Sequence, residues 1–248
     1  FSLNKHFMGL LTGLLVFPKY RELVGRLRLF YFVKLRGKLK SIDSADGLPA
    51  TVKHNMRGLK GFAGVRMDKI IKPLSVIETL NPNSKLLVIG PRNEGDLLCF
   101  MGHGFKKQGL RGLDLITYSP LIELGDMHAM KYDDNTWDAV ICGWTISYSK
   151  SPEKFAKEAI RVVKNGGIVA IGLEYSNINY DDSVKLLGYE LHQKDHKRIN
   201  SVASILALFE GYVDEVFFNH DAPAKISHTA EGLNPKVSSV VVIFSIKK

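Results

Sequence analysis

Cysteine is nearly absent. Cys99 and Cys142 are the only two in 248 residues, and both sit in apolar runs. So placed, they are expected to be small core residues rather than a disulfide or metal framework, and no His/Cys set has zinc spacing. That usage fits the cytoplasm or another reducing compartment. Apolar runs of membrane length are missing too: Phe7 to Phe17 would span roughly 16 Å as a helix, against a hydrocarbon core of about 30 Å. A signal-peptide core remains an alternative for it, although no small-residue cleavage site follows. The chain starts at Phe1, so a start Met is expected upstream. Internal repeats and low-complexity tracts are lacking. So is net charge over most of the chain: residues 1–60 hold twelve Lys/Arg against three Asp/Glu, while the remaining twenty-two of each sign cancel. The formal charge of +9 therefore describes an arm.

What is present divides accordingly into an extension, residues 1–60, and an α/β domain, residues 61–248. From Tyr20 to Lys40, Leu23, Leu27, Phe30, Tyr31, Leu35 and Leu39 recur at helical spacing among Arg21, Arg26, Arg28, Lys34, Arg36, Lys38 and Lys40. This predicts a basic amphipathic helix. Three roles stay open for it: packing its apolar face on the main domain, peripheral docking to an anionic membrane surface, or binding RNA. Ser41 to Ala50, with Gly47 and Pro49, reads as a linker.

The main domain is predicted to open with a helix over Met67–Leu80, interrupted near Pro73, and a turn at Asn81–Ser84. Strand Lys85–Ile89 then stops at Gly90, and a helix resumes over Glu94–Met101. Strands follow at Leu110–Ile116 and Trp137–Trp144, with a short apolar stretch at Leu121–Leu124 between them. Ser151 and Pro152 start a helix that Asn165-Gly166-Gly167 ends, and Ile168–Leu173 is the next strand. A helix over Ser201–Phe209 precedes strands Val213–Asn219 and Val237–Ile246, joined through Gly232–Pro235. Two consecutive strands without a helix imply an antiparallel pair closing an otherwise parallel sheet.

The densest motifs are Gly125-Asp-Met-His-Ala-Met130, then Asp134-Asn-Thr-Trp-Asp-Ala-Val-Ile141, Ser151-Pro152 and Arg161-Val-Val-Lys-Asn-Gly-Gly167. In this order and spacing they resemble class I S-adenosylmethionine-dependent methyltransferases of the type 11 group. The resemblance implies a Rossmann-like α/β fold with a mostly parallel, seven-stranded or slightly reduced sheet ending in the antiparallel pair. It also implies S-adenosyl-L-methionine as cofactor. Gly90, Pro91, Arg92, Glu94 and Gly95 would lie along its methionine part, and Asp114 with Leu115 at the ribose. Asp126, Met127 and His128 would stand at the adenine, and Cys142, Gly143 and Trp144 beside the transferable methyl. Tyr148 and His128 are the candidate catalytic side chains. Each has a plainer alternative: a strand-end carboxylate for Asp114, a turn former for Asp126, a core ring for Trp144, a solvated loop histidine for His128.

The family's loop normally reads acidic-x-Gly-x-Gly-x-Gly, whereas here Val88, Arg92 and Glu94 replace the acid and two of the glycines. Arg92 and Glu94 either obstruct the cofactor or pair with its carboxylate and amino group. Only 11 residues separate Asp114 from Asp126, too few for the usual helix and strand, so the second helix is expected to be missing or reduced to a turn. Strand Trp137–Trp144 leads out through Cys142-Gly-Trp-Thr145, unlike the corresponding motifs of base-amine or pyrimidine-C5 methyltransferases. The expected acceptor is therefore an O or N nucleophile of a small molecule, sugar, lipid or similar compound. The alternative is a catalytically inactive methyltransferase-like domain serving as a binding or assembly subunit on RNA or a membrane surface. A dehydrogenase is a distant third, since Gly90 and Gly95 keep only the outer glycines of its fingerprint.

Overall fold

The computed structural model describes residues 9–42, 49–62, 66–175, 181–182, 185, 199–221 and 238–248. Most of the Ser41–Ala50 linker and the Gly232–Pro235 loop fall outside them. Nine strands are described: β1 Lys40–Ser41, β2 Leu86–Ile89, β3 Leu110–Asp114, β4 Ile116–Thr117, β5 Ile122–Leu124, β6 Trp137–Gly143, β7 Val163–Tyr175, β8 Val213–His220 and β9 Ser238–Ile246. The described α-helices are α1 Pro18–Leu29, α2 Pro49–Gly58, α3 Asp68–Leu74, α4 Gly95–Gly102, α5 Pro152–Val162 and α6 Val202–Ala207.

Seven strands form one sheet in the order β5-β3-β2-β6-β7-β9-β8. The first five run parallel; β9 is antiparallel to β7, and β8 to β9. β2 is buried at every position, as a strand covered on both faces requires. One face packs Leu87, Val140, Ile171 and Phe244 beneath Phe155 and Phe209, and the other packs Leu86, Val88, Ile141 and Ile243 beneath Ile70, Ile71 and Phe100. Cys99 and Cys142 are both buried free thiols. Burial pushes the Cys142 thiol up to about 12.

Some elements depart from the sequence reading. Ser151 occupies the position before α5, yet its side chain makes no cap hydrogen bond. The Asn165-Gly166-Gly167 turn lies inside β7: the helix already ends at Val162, and the strand bulges between its Val163 and Ile168 pairings with β6. Gly166 supplies the left-handed residue there, at φ 73°. Between β3 and β5 there is no helix, as the short spacing implies. Leu121–Leu124 nevertheless contributes a strand, and β4 pairs antiparallel with β1 of the arm. Leu29, Phe32, Val33, Leu39 and Val52 of the arm pack on Ile116 and Tyr118, giving this edge the apolar cover a crossover helix would supply.

The arm helix runs as α through Leu29 and continues as a π-helix over Phe30–Leu35. Its apolar stripe faces away from the domain. Leu23, Leu27, Phe30 and Leu35 are each more than half exposed, while Arg21 and Gly25 are buried underneath. Gly25 is required there, since a Cβ would meet the Phe62 ring at 2.4 Å. Arg21 donates to the Leu15 and Val16 carbonyls at 3.0 and 3.2 Å and to Asp68 at 3.4 Å. Among the described residues, no helix is long and apolar enough to cross a membrane.

Candidate active site

Two clefts meet at the C-terminal ends of β2, β3 and β6, where ligands bind in open parallel sheets. The larger, about 320 Å³, is walled by Gly90, Pro91, Arg92, Gly95 and Asp96 on one side and Gly143, Trp144 and Thr145 on the other. The smaller, about 50 Å³, is walled by Asp114, Leu115, Asp126, Met127 and His128. Thr51, Asn55, Gly90, Thr145 and Tyr148 line both, so Tyr148 stands at their junction.

The floor is built by close backbone approach. Gly90 has φ 67°, and a Cβ on it would meet Thr145 Oγ1 at 2.3 Å. A Cβ on Gly143 would strike Met67 Sδ at 2.2 Å. Arg92 and Trp144, on opposite walls, both hold positive φ, at 56° and 57°. Strain of this kind, about 1–3 kcal/mol per residue, persists only where surrounding contacts over-determine it. The Arg92 N–H donates to Asp114 Oδ2 at 2.7 Å, and the Trp144 N–H donates to the Gly172 carbonyl at 2.6 Å.

Asp114 is almost wholly buried. It accepts from Arg92 N–H, from Ile116 N–H at 3.2 Å and from Asn55 Nδ2 at 3.0 Å. Burial still outweighs these donors and raises its pKa above the usual carboxylate range. Asp126 is engaged by His128, whose backbone N–H donates at 2.9 Å and whose Nδ1 lies 2.6 Å away. That side-chain hydrogen bond, ahead of the opposing burial, holds the Asp126 carboxyl below its ordinary pKa. His128 Nε2 is 2.6 Å from Ser149 Oγ, so both ring nitrogens are occupied by protein groups.

The residues replacing the loop glycines face the arm. Glu94 has no exposed surface; it accepts from Arg28 Nε and Nη2 and from the Ser119 hydroxyl, while its N–H donates to the Tyr118 hydroxyl at 3.1 Å. It lines neither cleft, which removes it from the ligand wall on which a cofactor contact would depend. Cys142, wholly buried, is likewise behind the wall. Arg92 stays on the cleft wall and reaches His54 Nε2 at 3.1 Å. Asn93 donates to the Leu59 and Gly61 carbonyls at 3.2 and 3.1 Å, and accepts from Gly95 N–H at 2.9 Å.

Sequence reasoning missed the contribution of α2. Thr51, His54 and Asn55 lie on the cleft walls, and the His54 ring stacks on Tyr148 with centroids 5.5 Å apart. Burial, then Arg92, Arg57 and Arg66, lower the His54 pKa and favour its neutral ring. Asp96 and Arg66 were also missed. Both line the larger cleft, where Arg66 pairs with Glu174 at 2.6 Å and lies over the Trp144 ring at 5.8 Å. Among the described residues, Trp144 Nε1 is a buried donor without a hydrogen-bond partner.

Comparisons with known proteins bear on the fold that carries these clefts. Residues 106–171 match the family described as a methyltransferase domain. Among solved structures, a chain in the complex between the Haloferax volcanii Trm112 methyltransferase activator and a methyltransferase aligns with TM-score 0.52. It is 14% identical, over 82% of this chain and 97% of that one. A protein assigned as a sarcosine dimethylglycine methyltransferase from Galdieria sulphuraria aligns with TM-score 0.53 and 14% identity, over 74% of this chain and 86% of that one. Identity at that level is evidence of shared fold alone. No curated protein sequence matches this chain.

The strand order, the turn at Gly90 and the clefts above it define a class I Rossmann-like methyltransferase fold. The matched segment runs from before β3 to within β7, so the likeness to a methyltransferase domain covers the centre of the sheet and the strand ends that wall the clefts.

Proposed function

We propose that the two clefts together take S-adenosyl-L-methionine, and that the chain transfers its methyl group to an O or N nucleophile of a small molecule, sugar or lipid acceptor. The observation that carries this reading is that Gly90, Asp114 and Gly143–Trp144, from three neighbouring strand ends, wall two clefts that meet at Gly90, Thr145 and Tyr148. The residues fit the cofactor chemically. A buried carboxylate suits two adjacent ribose hydroxyls, and Gly90 lets the Thr145 side chain close against the loop at the point where the two clefts meet. The cofactor supplies an electrophilic methyl on sulfur. The chain's own part is positioning and exclusion of water: Trp144, Tyr148, Arg66 and His54 wall the larger cleft beside the C-terminal end of β6, where an acceptor would be aligned. His54 stands on that wall with its Nε2 facing Arg92, and both ring nitrogens of His128 are engaged by protein groups, so on this reading catalysis rests on alignment rather than on a dedicated histidine base.

A second reading, a methyltransferase-like domain that no longer turns over, is favoured by one observation. Asn55 and His128 already occupy Asp114 and Asp126, and the cleft between those carboxylates is about 50 Å³. Ligand pockets ordinarily offer roughly 300–1,000 Å³. On the enzyme reading, α2 withdraws Asn55 as the cofactor enters. Calorimetric titration with S-adenosylmethionine and S-adenosylhomocysteine decides between them. Saturable binding that Asp114→Ala weakens at least tenfold supports the enzyme; no heat at millimolar cofactor sinks it.

A further inference from the structure

From the outward face of the arm helix we infer that this chain docks peripherally on an anionic lipid surface, with the stripe Leu23, Leu27, Phe30 and Leu35 seated among the acyl chains. These side chains are 55%, 61%, 57% and 64% exposed, and Tyr31 beside them is 45% exposed. At 3.6 residues per turn, positions 23, 27 and 30 fall on one line. The π-helical turns that follow, with Arg36 N–H bonding to the Tyr31 carbonyl at 3.0 Å, carry an extra residue each, which swings Leu35 back toward that line. The stripe is thus continuous through the change in winding.

The helix cannot turn this face inward. Its opposite side is pinned by the buried Arg21 guanidinium, by Gly25 against the Phe62 ring, and by Arg28 on Glu94. Charge then selects the occupant. Lys19, Lys34, Arg36, Lys38 and Lys40 are exposed around the stripe, and none makes an ion pair among the described residues. The one acidic residue between 9 and 42, Glu22, is neutralised by Arg26 at 2.7 Å. RNA would meet the cations but leave three leucines in water, since stacking on bases needs aromatic or guanidinium planes. An anionic bilayer meets both parts at once: apolar side chains enter the acyl boundary while lysine and arginine heads remain at phosphate level.

The test uses the whole chain and vesicles of phosphatidylcholine with or without phosphatidylserine. Sedimentation with the phosphatidylserine vesicles, weakened by salt, is expected, with little on phosphatidylcholine alone. The double substitution Leu27→Gln/Phe30→Gln should lower partitioning by roughly tenfold or more while leaving thermal unfolding in place, since both side chains are mostly solvated. A Phe30→Trp chain, which does not depend on that variant folding, should show blue-shifted emission on anionic vesicles and quenching by brominated acyl chains. Absence of sedimentation overturns the inference. So do unchanged partitioning of the double variant, emission from the Phe30→Trp chain that stays water-exposed while RNA binds, or dimerisation through the stripe without vesicle binding. Each readout is independent of S-adenosylmethionine, so failure here leaves the proposed chemistry standing.

Discussion

Asp96 and Asp114 are both carboxylates that burial makes harder to ionise, and they should respond differently to neutralisation. Burial pushes Asp96 up to about 7, from 3.8 for an ordinary carboxyl, against the opposing pull of Arg21, Arg66 and Arg92. Between those two values the native chain holds a proton that the unfolded chain has released. Stability therefore falls as pH rises through that window and levels off above it. Asp96→Asn removes the titration. Its melting temperature should match wild type at acid pH and exceed it above neutrality by about 1–2 kcal/mol of stability, or roughly 4 °C, read by thermal scans across pH. Asp114 accepts three hydrogen bonds, so Asp114→Ala strands three donors and should destabilise by about 1–3 kcal/mol as well as weaken cofactor binding. Asn55→Ala should act the other way on affinity. Removing a side chain that competes for the same carboxylate is expected to tighten S-adenosylhomocysteine binding several-fold in titration, by relieving the closed state of its advantage.

The loop between β2 and α4 is where element-level reasoning from sequence stopped short. Its strand, its turn at Gly90 and its helix were legible from an apolar run, a glycine and resumed helical spacing. The missing helix after β3 was legible from spacing alone. That Arg92, Asn93 and Glu94 face the arm was not, because their partners His54, Leu59, Gly61 and Arg28 lie 32 to 66 residues away and no local pattern marks such pairs. Nor did amphipathic periodicity tell which way the arm helix faces. The apolar stripe is visible in the sequence, but Gly25 and Arg21, which settle its orientation, act through tertiary contacts. The Arg28–Glu94 pair gives the loop a measurable test. Glu94 has no solvent access, so Arg28→Ala leaves a buried charge without its main partner and should destabilise by about 2–4 kcal/mol. Glu94→Gln in the Arg28→Ala background should recover part of that loss. A double-mutant cycle with coupling below about 0.5 kcal/mol would show that the pair holds nothing in place.

At the scale of the whole molecule, charge divided the chain near residue 60, and packing runs across that division. The arm covers Ile116 and Tyr118, supplies the strand that pairs with β4, neutralises Glu94, donates one of three hydrogen bonds to Asp114 and places His54 against Tyr148. A chain of residues 61–248 keeps the seven-stranded sheet but loses every one of those contacts. It exposes the Ile116 and Tyr118 edge, takes Arg28 from the buried Glu94 and removes one of three donors from Asp114. Domains of this kind are stable by only about 5–15 kcal/mol, and a buried charge left unpaired costs about 3–5 kcal/mol before the lost apolar cover is counted. We therefore expect residues 61–248 alone to lose a cooperative thermal transition, or to melt more than about 10 °C lower, with near-ultraviolet dichroism reduced at unchanged strand content. A truncated chain that melts with wild-type cooperativity and temperature would mean that the arm is an appendage after all. The cofactor clefts would then have to be complete without α2, and the tightening expected from Asn55→Ala should appear equally on deletion of the arm.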